Sequence, residues 1–462
     1  MQRILSQEIP KHIGKKVKLE GWVNARRDHG KIIFIDLRDK TGLAQIVFVP
    51  NNKELYKVGD SLKPEYVISI EGSVNKRPKG MENPKLITGE VEVLAEKVEV
   101  LAESKTPPFE INEDKKVDEA VRLKYRYLDL RHERMKQNLI LRHKAIKFIR
   151  DYLDQKDFIE VETPLLTKST PEGARDFLVP SRLQRGKFYA LPQSPQQYKQ
   201  LLMVAGLENY FQIARCLRDE DQRGNRQAEH TQLDLEMSFV TQEDILKIYE
   251  GLLIALVKQL FPKKKITKAP FPRLKYDNVM KKYDTDKPDL RKNKKDPNEL
   301  AFVWIIDWPM FEWNKDEKRW DPHHHIFTAP KEEDFKLLDE APVKVRSWQH
   351  DLVLNGHEIA GGSIRITNPK VQKKVLELVG LSNEEIKKRF GHMFTAFEYG
   401  VPPHGGLASG LDRLFMILAN ESNIREVIAF PKTGDGRDLM MNAPSEVDDK
   451  QLKELHIKIR KD

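Results

Sequence analysis

Charged side chains crowd the middle of the segment FQIARCLRDEDQRGNRQAEHTQLDLEMSFV (residues 211–240), among them Arg218, Glu220, Arg223 and Arg226. On either side the chain alternates as strands do, with Phe211 and Ile213 before the cluster and Leu233, Leu235, Met237 and Phe239 after it. Two antiparallel strands carrying an arginine and an acid, joined by a basic loop, suit a nucleoside triphosphate, because a guanidinium grips a phosphate through two N–H groups. A plain hairpin with a salt-bridged, solvated loop has the same pattern. In a second segment, GLASGLDRLFMIL (406–418), Arg413 heads an apolar helical stretch, after glycines that would let a ligand approach the backbone. Alone, it reads equally as an ordinary strand-to-helix turn. A third, FIEVETPLLT (158–167), is a strand ended by Pro164 at what could be a subunit seam.

These segments need a frame, and 462 residues are enough for two or three domains. The first hundred residues read as short strands at 16–23, 31–39, 42–50, 66–74 and 87–101. Five strands without a long amphipathic helix predict a small closed barrel over residues 1–104, with an OB-fold as the leading form and an SH3-like barrel as the alternative. Residues 105–135 are expected to form a hinge, and the charged, proline-bearing stretch 103–117 within and before it reads as linker. Beyond it, Ala145, Phe148, Ile149, Tyr152 and Leu153 recur at helical spacing, and strand and helix signals then alternate through 136–462. That half is predicted to be α+β. A basic, proline-containing stretch at 262–300 interrupts the periodicity.

Composition narrows the class. No run approaches the roughly 18 apolar residues of a membrane span, and the N-terminus lacks a signal-peptide pattern. A soluble, cytoplasmic protein without membrane contact is expected. Cys216 is the single cysteine, so an internal disulfide is excluded, and its apolar neighbours make it a core residue. Lys+Arg 80 against Asp+Glu 71 leaves a net charge of +9, which favours a polyanionic partner, though surface lysines also serve solubility.

Taken in order, the segments at 158–167, 211–240 and 406–418 resemble motifs 1, 2 and 3 of the class II aminoacyl-tRNA synthetases. TPEGARDFLVP (170–180), LPQSPQQYKQLLM (191–203), HHIFTAP (324–330), LNGHEIAGGSIRI (354–366) and GDGRDLMMNAPS (434–445) narrow the likeness to the bacterial aspartyl-tRNA synthetases. The likeness spans nearly the whole chain. It implies an OB barrel that reads an anticodon, and a catalytic domain on a six-stranded antiparallel sheet flanked by helices. The absence of GxGxxG and GxxxxGK[ST] signatures agrees that this is not a Rossmann or P-loop site.

The resemblance also implies a reaction: ATP-dependent ligation of L-aspartate to the 3′ end of tRNA-Asp through an aspartyl-adenylate. On the matching positions, Arg218 bridges the attacking carboxylate and the α-phosphate. Asp219, Glu220 and Gln227 contact the nucleotide, Glu220 at the adenine amino group. Gly410, Leu411, Asp412 and Arg413 hold the triphosphate, and Asp351 and Glu358 hold Mg2+, Glu358 also counting among the nucleotide contacts. Arg218, Glu220 and Arg413 form the catalytic set. Lys199 and Arg365 read the substrate's side-chain carboxylate, and Asp234 orients Lys199. Glu172 and Gln196 bind the ammonium group, and His324 contacts the aspartate. Without the resemblance, Asp351 and Glu358, seven residues apart, read equally as acids projecting from the ends of a short hairpin and as a surface acid pair. The run His323-His324-His325 suggests a metal cluster, but consecutive side chains point apart and rarely chelate one ion, so a place near the substrate or a plain loop is expected instead.

In the barrel the resemblance makes Phe34 stack on an anticodon base and Gln45 hydrogen-bond it, with Arg27 and Glu92 as further contacts. His29 stands where family members differ, and histidine there accompanies enzymes that also charge tRNA-Asn. A homodimer is implied through motif 1. One departure is plain. Bacterial members carry a further domain between motifs 2 and 3, whereas here a short basic loop near 283–300 takes its place. The rivals are an asparaginyl- or lysyl-type synthetase, which would not want two cations at positions 199 and 365, and a non-catalytic OB-fold nucleic-acid binder.

Overall fold

The computed structural model describes residues 1–112, 117–169 and 174–460. The chain divides into two compact units, Met1–His132 and Glu133–Asp462. The first is built on β1 (Lys16–His29), β2 (Ile32–Asp39), β3 (Gly42–Phe48), helix α1 (Lys53–Ser61), β4 (Val67–Lys76) and β5 (Val91–Ala102). They close into a barrel in the order β1-β2-β3-β5-β4, the OB-fold arrangement. Alternation does the work: Ile33, Ile35 and Leu37 of β2 point inward among Val17, Leu19, Val23, Ile46, Ile68 and Val93, while Phe34 and Asp36 point out. The expected hinge is more ordered than a linker. It contains two short helices, Glu119–Lys124 and Arg126–Asp129, and buried Asp129 accepts from Arg122 Nε at 2.9 Å and Arg126 Nη1 at 2.5 Å.

The second unit opens with α2 (Glu133–Asp154), which buries Ala145, Ile149 and Leu153 as the spacing predicts. Then follow β6 (Ile159–Glu160), α3 (Gln196–Val204), β7 (Asn209–Leu217), β8 (Glu229–Ser238), α4 (Gln242–Leu260), β9 (Arg273–Lys275), α5 (Tyr276–Tyr283), β10 (Phe302–Pro309), β11 (Arg346–Leu354), β12 (His357–Ile364), α6 (Asn383–Phe397), β13 (His404–Gly410) and α7 (Leu411–Leu418). One sheet orders them β9-β10-β11-β12-β13-β8-β7-β6. Its six middle strands are antiparallel, and a short parallel strand is added at each edge. Helices α2 and α4 cover one face, packing Ile149, Leu153, Tyr249, Leu252 and Leu256 against Leu233, Leu235, Trp304, Leu352 and Leu407. Because strand side chains alternate, the same β8 presents Gln232, Asp234 and Glu236 to the opposite face.

Three local expectations change. Strand β6 ends at Glu160, so Pro164 lies beyond it rather than terminating it. Phe239 leaves the alternation of β8, with a φ of 58° and 68% exposure. The glycines of β12 and β13 serve strand contact more than ligand approach. A Cβ on Gly406 would lie 2.1 Å from Leu235 O and 2.2 Å from Glu236 Oε2, and one on Gly362 would lie 2.2 Å from Gly406 O. Residues 284–298 form the short loop in which the basic stretch runs from α5 back to the sheet. Among the described residues no helix is long and apolar enough to cross a membrane.

Candidate active site

The polar face of β8 carries the most heavily paired buried charges of the second unit. Lys199, on α3 and 1% exposed, places Nζ 3.0 Å from Asp234 Oδ1 and 3.3 Å from Glu236 Oε2. Arg365, just past β12, donates to both oxygens of the same Glu236, from Nε at 2.8 Å and Nη2 at 2.9 Å. Its Nη1 reaches Ser363 Oγ at 2.7 Å and His325 Nε2 at 2.5 Å. Burial alone would raise the Glu236 carboxyl, but Arg365 and Lys199 outweigh it and hold it down to about 2. Asp234, with the same lysine but weaker pairing, is pushed up by burial, and its Oδ2 has no hydrogen-bond partner among the described residues.

Counting donors shows what remains. A guanidinium has five N–H groups and an ammonium three. Four of Arg365's N–H groups are used among the described residues, and Lys199 gives one to Asp234 while its ammonium also lies against Glu236, which leaves at least one N–H on each for the two oxygens of a carboxylate. Gln196 is buried on the same helix and donates to Gln200 Oε1 at 3.0 Å. The sequence reading missed Glu236. Its signal was there: Asp234 and Glu236 are two acids at i and i+2 alternating with Leu233, Leu235 and Met237, hence on one face.

Beside this cluster, a cavity of about 190 Å³ is lined by Arg218, Glu220, Gln227, Glu358, Gly410 and Arg413, among others. Among the described residues the guanidinium of Arg218, just past β7, bonds only Gln193 O, at 3.4 Å, and makes no ion pair. Arg413, in the first turn of α7, donates to the backbone oxygens of Glu358 and Asn225 and likewise pairs with no acid. Two uncompensated guanidiniums thus face one cavity. His230 shows their reach: burial, then Arg218, Arg215, Arg413 and Arg226, push it down to about 3. Gly410 leaves open space where a side chain would stand.

Other expected nucleotide contacts have structural partners of their own. Glu220 accepts from Arg226 at 2.7 Å, and Asp219 lies 3.6 Å from Arg175. Gln227 exchanges hydrogen bonds with the Lys432 backbone at 3.2 and 2.8 Å. Asp412 accepts from Arg142 at 2.5 Å and from the Thr231 amide at 2.9 Å, tying α7 to α2 and β8. Leu411's side chain lies fully in the core, so a nucleotide contact there would be made by its backbone.

Asp351 and Glu358 stand on adjacent strands, Asp351 opposite Gly361. Asp351 is buried, its Oδ2 accepts from Gln349 at 3.0 Å, and its Oδ1 has no hydrogen-bond partner among the described residues. Burial and then the Glu358 charge raise its carboxyl well above the usual range. Gly361 is glycine because a Cβ would lie 2.9 Å from Asp351 Oδ1 and 3.5 Å from His324 Cε1. The three adjacent histidines serve different places. His323 packs on Tyr276 and Trp308, and His325 meets Arg365. His324 is held neutral, pushed down to about 3 by burial and then by Arg365, His350, Lys199 and Arg218.

Glu172 lies outside the described residues. The barrel residues belong to the first unit, where they form a patch of their own. His29 meets Phe34 edge-on at 5.9 Å, Arg27 pairs with Asp36 at 2.7 Å, and Gln45 donates to Glu92 at 2.9 Å. Asp36 was not anticipated. It lies two residues along the outward face from Phe34 and directly opposite Gln45, because the register sets Arg27 opposite Phe34 and Asp36 opposite Gln45.

Residues 118–434 match the family described as tRNA synthetases class II (D, K and N), and residues 17–101 match the OB-fold nucleic acid binding domain. An Aspartate--tRNA(Asp/Asn) ligase of Rubrobacter xylanophilus is 45% identical, covering 97% of this chain and 95% of that protein. One of Dehalococcoides mccartyi is 43% identical over 99% and 98%. These alignments run over 571 and 590 positions against 462 residues here, so a stretch of roughly a hundred or more positions in the relatives has no counterpart. Among solved structures, asparaginyl-tRNA synthetase from Pyrococcus horikoshii with asparaginyl-adenylate aligns at TM-score 0.76 and 23% identity, covering 94% of this chain and 98% of that one. A putative aspartyl-tRNA synthetase from Leishmania major aligns at 0.75 and 19%, covering 93% and 94%. At such identities these two speak for the fold.

Proposed function

The chain belongs to the class II tRNA synthetases, in the aspartate–tRNA ligase branch, and we propose that it joins L-aspartate to the 3′ end of tRNA-Asp through an aspartyl-adenylate, with tRNA-Asn as a second acceptor. The observation that carries this is the pairing of Lys199 and Arg365 on one carboxylate, each with an N–H to spare, beside a cavity holding two unpaired guanidiniums. An isosteric amide offers one oxygen and two donors to that pair of N–H groups, so asparagine leaves one of them unmatched.

In the first step the aspartate α-carboxylate attacks the α-phosphorus and pyrophosphate leaves. No protein nucleophile and no general base is required, so rate comes from positioning and from neutralising charge. Lys199 and Arg365 hold the side-chain carboxylate, Asp234 orients Lys199, and Glu172 and Gln196 take the ammonium. Arg218 spans the reacting carboxylate and the α-phosphate. Arg413 takes the phosphate tail where Gly410 leaves room, Glu220 reads the adenine amino group, and Asp219 and Gln227 shape the nucleotide's wall. Neutral His324 lies beside the aspartate without adding a competing charge.

Asp351 and Glu358 fit Mg2+: both offer oxygen, and one buried oxygen of Asp351 lacks a hydrogen-bond partner among the described residues. The ion supplies neutralisation of the phosphate charge. In the barrel, Phe34 supplies a stacking face and Gln45 an amide for an anticodon base, with Arg27 and Glu92 beside them and His29 against Phe34. The relatives' names, with both tRNAs in them, support the wider acceptor range. Exposed Ile159, Leu165, Leu166, Leu178 and Phe188 supply an apolar surface suited to a homodimer.

ATP–pyrophosphate exchange tests the activation step. Exchange should depend on aspartate, and exchange with asparagine alone would overturn the substrate assignment. Aspartylation of purified tRNA-Asp and tRNA-Asn side by side should charge both; charging of tRNA-Asp only would remove the wider range.

A further inference from the structure

The loop 284–298 brings one more charge to the site. Lys287 Nζ lies 3.3 Å from Glu358 Oε2 and 3.6 Å from Asp286 Oδ2. Its backbone is held: Pro288 after it is buried, Asp289 is forked by Arg291 at 3.0 and 2.7 Å, and the loop packs against Gly356 in the β11–β12 turn. Its side chain is not held in the same way. It is 43% exposed, on a four-carbon stem that can swing without moving the chain. The ammonium therefore occupies the cation side of Glu358, and its charge also acts on buried Asp351, whose Oδ1 has no hydrogen-bond partner among the described residues.

We propose that Lys287 is a displaceable stand-in for the metal ion at Glu358, and that on nucleotide binding its ammonium is released onto the phosphates. The inference rests on the reading of Asp351 and Glu358 as metal ligands. Two cations do not share one carboxylate without repulsion. Without nucleotide, Lys287 offsets the adjacent acids and competes with free divalent ion, so metal affinity is low. When a triphosphate enters between Arg218 and Arg413, the ammonium gains a second anionic partner, and leaving Glu358 costs it little. Lys287 thereby couples metal entry to nucleotide entry, which guards the acid pair against occupation in an empty site.

The test uses full-length enzyme with Mn2+ as the probe, its binding followed by electron paramagnetic resonance. Without nucleotide, Lys287→Met should bind Mn2+ about two- to five-fold more tightly than wild type, the range expected for losing a half-exposed ion pair. Lys287→Arg, which keeps the charge, should match wild type. By calorimetry in EDTA, Lys287→Met should bind ATP several-fold more weakly. Unchanged Mn2+ binding in Lys287→Met, or tightening in Lys287→Arg as well, overturns the inference. Glu358→Gln separates it from its premise. If that variant binds Mn2+ with ATP as well as wild type does, the metal reading itself fails. If Glu358→Gln weakens Mn2+ binding while Lys287→Met changes nothing, only the role of Lys287 falls.

Discussion

Glu236 sets the chemistry of the site by what it leaves over. It accepts two bonds from Arg365 and a contact from Lys199, so both cations are fixed before any ligand arrives, and neither is free to collapse onto a phosphate. Arg218 has the opposite character, with a guanidinium that no acid satisfies among the described residues. Arg218→Ala should lower aspartate-dependent exchange by at least about a hundredfold while the circular dichroism spectrum and melting temperature stay put; a wild-type rate would remove it from the reaction. His350 makes a pH prediction. It is fully buried and pushed from 6.5 down to about 3 by burial and then Arg365, so below pH 6.5 the unfolded chain takes up a proton that the folded chain refuses. Stability should therefore fall with pH, by about 2 kcal/mol between pH 6.5 and 5 for this group. Urea midpoints of wild type and His350→Gln at the two pH values check it; the variant should lose correspondingly less, and parallel losses would show that the ring is not buried neutral.

At the scale of elements, the site is a product of close strand packing. β13 lies between β8 and β12, and Gly406 is what lets it do so while Glu236 stands underneath. Gly406→Ala should destabilise the protein by about 3 kcal/mol or more, because the obstructing atoms include a backbone oxygen that cannot turn aside. Gly410→Ala, four residues along, meets nothing within 4 Å and has a φ of −72° that any residue tolerates. Its melting temperature should stay near wild type, whereas its KM for ATP should rise several-fold, because the new methyl stands in the cavity. Equal stability losses in the two variants would contradict this division of the glycines. Helix α7 belongs to the same logic: Asp412 ties its first turn to α2 and β8, so that Arg413 is aimed by bonds made on the far side of the helix.

At the scale of the molecule, two units divide the labour and can be tested apart. The first carries an outward aromatic and polar patch at Phe34, Gln45 and Arg27, and the second carries the charged cavity. Phe34→Ala should lower kcat/KM for tRNA aspartylation by about 5- to 150-fold, the usual worth of one stacked base, and leave pyrophosphate exchange untouched. A matching loss in exchange would mean that the substitution acts through folding rather than through tRNA.

The barrel was legible because it is written locally: five alternating runs with turn residues between them determine both the strands and their inward faces. The same holds for α2, for the hairpin of β7 and β8, and for Arg413 at the head of an apolar helix, since period and punctuation act over a few residues. Which charges meet was not local. Glu236 reaches Arg365 across 129 positions, and Lys287 reaches Glu358 across a loop whose sequence reads only as basic. The purpose of the glycines was equally hidden, because Gly406 looks open to a ligand until β8 is laid beside it. Sequence determined which residues could carry charge to the site and on what elements they travel. The tertiary structure decided which charges neutralise one another and which remain unsatisfied, because that balance depends on distances of a few ångströms between segments far apart in the chain.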